Sequence, residues 1–224
     1  MGCFLQPYPI SNLKPVTLGG PALGMDIDVV DDDGLPVRNK VGNLICKKPA
    51  SSMTMGFWKD SERYLDTYWS RFPNVWFHGD LALIDEDGFW FLLGRSDDIL
   101  KIAGKRVGPA EFETACMKHP AVAEAAVIGV PHDVKGQAVI VYVVLKPNEI
   151  ADEKQRNGIL QHLTSLMGKA FAPEEVRFTT MLPKTRSGKI VRRAIRALYL
   201  MEGALGDVST LENVDALEAI KKAY

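Results

Sequence analysis

GDLALIDEDGFWFLLGRSDDILKIAGKRVGPAEFE, residues Gly79 to Glu113, is the stretch whose reading decides the fold. Its first half is apolar, breaks at Asp87-Gly88 and turns apolar again, which reads as strand, turn, strand. After Asp98 the texture changes. ILKIAGKRV offers two short strands around Gly104, and Pro109 then opens a helix, with Pro in its first turn and Glu111 and Glu113 near its positive end. The segment from Gly94 to Asp98 therefore marks a boundary between two kinds of architecture.

Upstream of that boundary the pattern is β. MDIDVVDDDGLPV (25–37) alternates apolar and polar residues and breaks at Asp33-Gly34, and VGNLICKK (41–48) supplies a partner strand. Between the two hairpins, DSERYLDTYWSRFP (60–73) reads as a helix, with Asp60 or Ser61 as cap and Pro73 just past its end. Residues 1–96 are thus expected to form a small antiparallel sheet or open barrel. Downstream, AVAEAAVIGVPH (121–132) and QAVIVYVVLKP (137–147) are rich in Val and Ile and read as buried strands. Ile159, Leu160, Leu163, Leu166 and Met167 keep helical spacing within 153–169. EEVRFTTM is a short strand, and 190–200 is a helix. The fold class is α+β, with residues 97–224 as a second compact unit and a hinge at about Asp97.

Composition narrows the function classes. The chain has 224 residues, 27 basic and 28 acidic, with 46% hydrophobic and 25% charged content, ordinary for a water-soluble globular protein. The longest clean apolar run, Ala138 to Leu145, is too short to span a bilayer. MGCFLQPYPI has no basic start followed by an apolar stretch, so no secretory signal is expected. Gln6 stands where a myristoylation motif wants Ser or Thr. Cys3, Cys46 and Cys116 are far apart and lack CxxC spacing, which argues for reduced thiols and a cytoplasmic setting rather than a disulfide frame or zinc site. The four histidines are scattered too.

Against that neutral background stands LPKTRSGKIVRR, Leu182 to Arg193, with Lys184, Arg186, Lys189, Arg192 and Arg193 and no acid. Three readings compete: a solvated loop leading into a helix, a nucleic-acid patch, or a phosphate-handling loop. A nucleic-acid patch normally sits in a basic domain with aromatic residues for stacking. Here the pI is about 6.4 and no aromatic lies between Phe178 and Tyr199. A phosphate loop would use the flexible Ser187-Gly188 backbone and Lys189 as a point charge on a long arm. It is not a Walker loop, since GxxxxGK[ST] is absent.

The stretch from Gly79 to Glu113, followed at a distance by LPKTRSGKIVRR, strongly resembles the adenylate-forming superfamily of acyl-CoA synthetases, peptide-synthetase adenylation domains and luciferases. ERYLDTYW, HPAVAEAAVIGVPHDVKGQAV and the tail LGDVSTLENVDALEAI resemble its acetyl-CoA synthetase branch. The resemblance runs from about Gly24 onward. It implies that 1–96 is the last part of a large AMP-binding domain and 97–224 a mobile C-terminal domain. Members of this superfamily are more than twice as long. Their phosphate loop and most of their acyl pocket precede everything seen here, so this chain is expected to be inactive alone.

The resemblance also implies roles. ATP and a carboxylate, acetate in the closest branch, give an acyl-adenylate; CoA then displaces AMP while the C-terminal domain rotates between the two steps. Asp80 is expected to accept hydrogen bonds from the ribose hydroxyls, as a carboxylate with two acceptor oxygens can. Arg95 suits bidentate contact with ribose or phosphate, or alternatively pairs with Asp97 or Asp98. Asp97 matches the hinge position, where Asp tolerates turn geometry. Ala103 and Gly104 would line the approach of the pantetheine arm, or simply form a hairpin turn, and Arg106 would meet the adenylate phosphate. Lys189 would offset repulsion between carboxylate and α-phosphate during adenylation. Mg²⁺ is expected with ATP, without assignable ligands. Expected partners are acetate, ATP, CoA, the missing N-terminal part and a lysine acetyltransferase or deacetylase acting on Lys189, with no nucleic acid and no membrane. Thr164 stands where an arginine would meet the CoA nucleotide, with Lys169 a substitute, and Ala103 where Ser is usual. Two alternatives stay open: another short- or medium-chain acyl-CoA synthetase, or a non-catalytic nucleotide- or CoA-binding module.

Overall fold

The computed structural model describes residues 4–202, 205 and 208–224; Met1 to Cys3 and the Gly206-Asp207 pair of the tail motif lie outside the described residues. The chain divides into two compact units, Met1–Asp97 and Asp98–Tyr224.

In the first unit, a two-stranded ribbon of β1 (Leu5–Gln6) and β2 (Gly20–Pro21) accompanies an open antiparallel sheet. Its strands are β3 (Ile27–Val30), β4 (Gly42–Cys46), β5 (Trp76–Ile84) and β6 (Trp90–Arg95), paired in that order. The turns fall at the Asp-Gly pairs, where Gly34 and Gly88 supply positive φ. Helix α1 (Ser61–Trp69) starts where the Asp60 carboxylate accepts a hydrogen bond from the Arg63 amide, relieving one of the orphan donors of its first turn. Tyr64 and Tyr68, one turn apart, face the sheet. There the Tyr68 ring stacks on Trp76 at 4.1 Å, and Trp69 meets the same indole edge-on at 5.6 Å. This aromatic seat, with Val29, Leu44, Ala82 and Ile84 beneath it, fixes β5 and so the position of Asp80 along it.

The second unit is a sheet covered on both faces. Strands β9 (Val122–His132) and β10 (Gly136–Leu145) pair antiparallel along their full length. On its other edge β10 pairs parallel with β11 (Glu175–Phe178) and, at Gly136, with the hairpin of β7 (Leu100–Ile102) and β8 (Lys105–Val107). Because successive side chains point to opposite faces, an apolar run in a strand serves two cores. Val127, Val139, Val141 and Val143 meet α2 (Pro109–Met117) and α3 (Glu153–Met167) through Phe112, Cys116, Ile159 and Leu163. Ile128, Val130, Ile140 and Tyr142 meet α4 (Arg192–Tyr199) and α5 (Asp215–Lys221) through Ile195 and Ile220. Each fully buried aliphatic or Phe side chain contributes about 1.5–3 kcal/mol, so the two cores dominate the unit's stability.

The helix expected over 190–200 begins at Arg192 because Lys184 to Ile190 is occupied by a hairpin, described below. Helix α5 has no counterpart in the expectations; its short DALEAIK sequence gives too few turns for a period to be read. Among the described residues, no helix is long and apolar enough to cross a membrane.

Cys46 and Cys116 are free and buried. Burial, and secondarily the Glu113 charge, pushes the Cys116 thiol up to about 12. The reactive species is the thiolate, so Cys116 is expected to stay unmodified by a disulfide reagent at pH 8 in the native chain and to react fully in urea. Mass-spectrometric counting of labelled thiols checks this.

Candidate functional site

In the first unit β5 and β6 bring Asp80 opposite Arg95. The Arg95 guanidinium donates to the His78 carbonyl at 3.0 Å, stands 3.6 Å from the Asp80 carboxylate, and reaches Asp97 at 3.2 Å. Gly79, at φ +82°, makes room: a Cβ there would stand 2.7 Å from the guanidinium. The other Asp80 oxygen lies 3.1 Å from His78 Nε2. Since His78 Nδ1 accepts from the Trp76 indole at 3.4 Å, Nε2 is the nitrogen that carries the proton toward Asp80. His78 thus orients the carboxylate, a role not foreseen from the sequence; the period-2 step from His78 to Asp80 on one strand was the available signal. The carboxylate keeps acceptor capacity beyond these two contacts, as a group binding a diol requires. Arg95 meets Asp97, one of the two ion-pair partners expected for it, and this link between exposed groups is weak and easily remade.

In the second unit the β7–β8 hairpin has two central residues, Ala103 and Gly104, both at positive φ (+49° and +75°). That is the backbone of a tight type I′ turn. Nothing lies within 4 Å of a Cβ built on Gly104, so φ, not crowding inside the chain, explains the glycine. The Ala103 amide donates to the Lys135 carbonyl at 2.9 Å, tying this turn to the β9–β10 turn. Arg106 lies on β8 opposite Lys101 and is half-buried. Glu111 sits in the first turn of α2. The Thr164 hydroxyl turns back onto the Leu160 carbonyl at 2.7 Å, and Lys169 opens the 3₁₀ turn Lys169–Phe171.

The basic segment forms a second hairpin. Lys184 and Ile190 bridge its base, the Thr185 amide donates to the Lys189 carbonyl at 2.9 Å, and Gly188 turns at φ +81°. The Thr185 hydroxyl sits 3.0 Å from that of Ser187 and accepts from the Lys189 amide at 3.1 Å, closing the loop from inside. The segment's cations divide. Lys184 pairs with Glu124 at 2.6 Å. Arg192 grips buried Glu113 with two bonds, at 2.8 and 2.6 Å, and reaches Asp98 at 3.4 Å. Lys189, exposed near the hairpin tip, has no ion pair among the described residues. The cluster is therefore not one undivided positive field: Lys184 and Arg192 hold the hairpin, while Arg186, Lys189 and Arg193 are exposed.

Residues 111–189 match the AMP-binding enzyme C-terminal domain. That match falls within the second unit, whose α+β architecture agrees with a C-terminal domain of the AMP-binding, adenylate-forming class. Over its whole length the chain is 47% identical to acetyl-coenzyme A synthetase of Pyrobaculum arsenaticum, of which it covers 32%. It is 43% identical over 92% of its length to 3-hydroxypropionyl-coenzyme A synthetase of Metallosphaera sedula, covering 31% of it. Among solved structures, acetoacetyl-CoA synthetase from Streptomyces lividans superposes with a TM-score of 0.84 at 28% identity, over 98% of this chain and 33% of that one. The chain spans about a third of the length of the curated relatives it matches.

The Glu113–Arg192 pair yields a prediction. Glu113 also accepts from the Val127 amide at 3.0 Å, and both side chains are largely buried. Glu113→Ala leaves the largely buried Arg192 with the longer Asp98 contact in place of its bidentate partner and is expected to cost the second unit about 3 kcal/mol, while Glu113→Leu with Arg192→Met loses less, because both charges go. Urea unfolding of the two variants measures the difference.

Proposed function

We propose that the chain is the C-terminal portion of an AMP-forming acyl-CoA ligase acting on acetate, with ATP and CoA as co-substrates. The single observation that carries this is the exposed Lys189, held at the end of a braced hairpin in a C-terminal domain of the AMP-binding class. Acetate as the acyl group is supported by the names of the most similar relatives; the 3-hydroxypropionyl relative marks how near other short acyl chains lie.

In this reading Asp80, oriented by His78, accepts from the ribose hydroxyls, and Arg95 stands beside it for ribose or phosphate oxygens. Lys189 enters between the carboxylate and the α-phosphate. Two anions must approach there, and a preorganised ammonium stabilises the charge that develops on the transferring group. After adenylate formation the domain turns about Asp97, and the Ala103-Gly104 turn and Arg106 take its place. The open space over Gly104 then admits the pantetheine arm, so the thiol reaches the acyl carbon and AMP leaves. Magnesium would arrive with ATP; among the described residues no cluster of three His, Cys, Asp or Glu is built to hold a metal. A cytoplasmic setting, and modification of Lys189 by a lysine acetyltransferase, belong to the same reading, since acetylation would remove the charge the first step needs.

In the full-length enzyme Lys189→Ala is expected to slow acetate-dependent ATP–pyrophosphate exchange by on the order of 10²–10³-fold. It should spare thioester formation from supplied acetyl-adenylate and CoA. Gly104→Leu is expected to do the reverse. Equal loss in both half-reactions for both variants would sink the two-step assignment. The 224-residue chain alone is expected to show no exchange above its own Lys189→Ala variant.

A further inference from the structure

The Lys189 hairpin is short, and an isolated two-stranded hairpin is marginal in water. Something outside it must hold its base. The outgoing arm is held by Arg192, through Glu113 and Asp98. The incoming arm, Leu182 to Thr185, is met along its open edge by Leu211, Glu212 and Asn213, about thirty residues later in the chain. Thr185 bridges to Leu211, and the Glu212 amide donates to the Lys184 carbonyl at 2.9 Å. The Asn213 side chain then does what a strand's peptide group would do. Its Oδ1 accepts from the Lys184 amide at 3.0 Å, and its Nδ2 donates to the Leu182 carbonyl at 3.0 Å. Only a side-chain amide offers an acceptor and a donor side by side in this spacing; a carboxylate offers acceptors alone, and an aliphatic side chain neither. The segment is itself anchored, because Leu211 is buried with Ala194 of α4 and Leu217 of α5.

We propose that Asn213 is a positioning residue for Lys189: its side-chain amide completes a three-stranded edge under the hairpin and fixes where the lysine is displayed. The proposal rests on the adenylation role given to Lys189 above. It assigns the LENVDALEAI segment a task in the first half-reaction, although none of its residues belongs to the hairpin. The physical reason is leverage. A small tilt of the arm at Lys184 is carried along five residues to Lys189, and a displacement of about 1 Å at a reacting group can cost about 10²-fold.

Two measurements separate the clamp from the function. The first is amide hydrogen exchange on the chain, comparing Asn213→Ala with wild type. The Lys184 and Thr185 amides are expected to exchange roughly tenfold faster in the variant, the scale set by one lost hydrogen bond, while β9 and β10 amides keep their protection. The second uses the full-length enzyme. Adenylate formation is expected to fall by on the order of 10- to 100-fold, with thioester formation from supplied acetyl-adenylate unchanged. Mere loss of stability would lower both half-reactions together. Asn213→Asp keeps an acceptor for the Lys184 amide but sets a carboxylate oxygen against the Leu182 carbonyl, so it is expected to fall short of wild type in both measurements; it also serves if the Ala variant does not fold. Unchanged exchange at Lys184 in Asn213→Ala overturns the clamp. Faster exchange with undiminished adenylation, or an equal fall in both half-reactions, overturns the positioning role. A wild-type enzyme that forms no acyl-adenylate overturns the ligase reading, and the exchange result then still decides the clamp.

Discussion

A single buried carboxylate organises the second unit. Glu113 takes two hydrogen bonds from Arg192 and a third from the Val127 amide, so helix α2, the first turn of α4 and strand β9 meet at one group. Its partner Arg192 extends to Asp98, the first residue of the unit. A buried ion pair of this kind is poor evidence for net stability, since desolvation of both charges offsets much of their attraction. Its value here is geometric. Apolar packing tolerates slippage of α4 on the sheet, whereas a bidentate guanidinium–carboxylate pair admits one arrangement. Everything that follows Ile190 in the chain is placed by that arrangement, and so is the arm that leaves the Lys189 hairpin.

The two-faced sheet explains why such a fastener is needed. β9 and β10 are apolar on both sides, and each face would accept a helix in several registers. Polar contacts at the rim select among them: Glu113 for α4, the Asp152 cap for the start of α3, the Lys184–Glu124 pair for the strand entering the hairpin. The Lys184–Glu124 pair stands at the base of the Lys189 hairpin, so the specificity of the core and the placement of that hairpin are one problem.

Much of this was legible in the sequence. Strong local signals carried it: Asp-Gly turns, a Pro at a helix start, Val- and Ile-rich runs, and the Asp60 cap. Residues whose roles depend on distant partners were not legible. Glu113 read as a charge near a helix N-terminus, because nothing local says that Arg192, seventy-nine positions away, will meet it. A lone histidine on a strand, such as His78, carries no signal until the neighbouring Trp76 fixes its tautomer. Asn213 lay in a stretch too short for a period. From sequence Lys184–Ile190 reads as a loop, since one isolated bridge closed by a threonine hydroxyl has no strand periodicity.

The division of charge in LPKTRSGKIVRR shows why composition misleads there. Five cations in twelve residues look like an anion trap, yet a trap made of mobile lysines and arginines would be satisfied by any phosphate in any pose. Pairing Lys184 with Glu124 and Arg192 with Glu113 removes two of those charges from the field and turns them into struts. The hairpin that carries Lys189 then stands on a fixed base. An electrostatic group accelerates a reaction by being in place before the charge develops, and attraction alone would stabilise substrate and transition state alike. In the adenylation role proposed for Lys189, the acidic residues that pin Lys184 and Arg192 are therefore as much a part of the site as the exposed lysine itself.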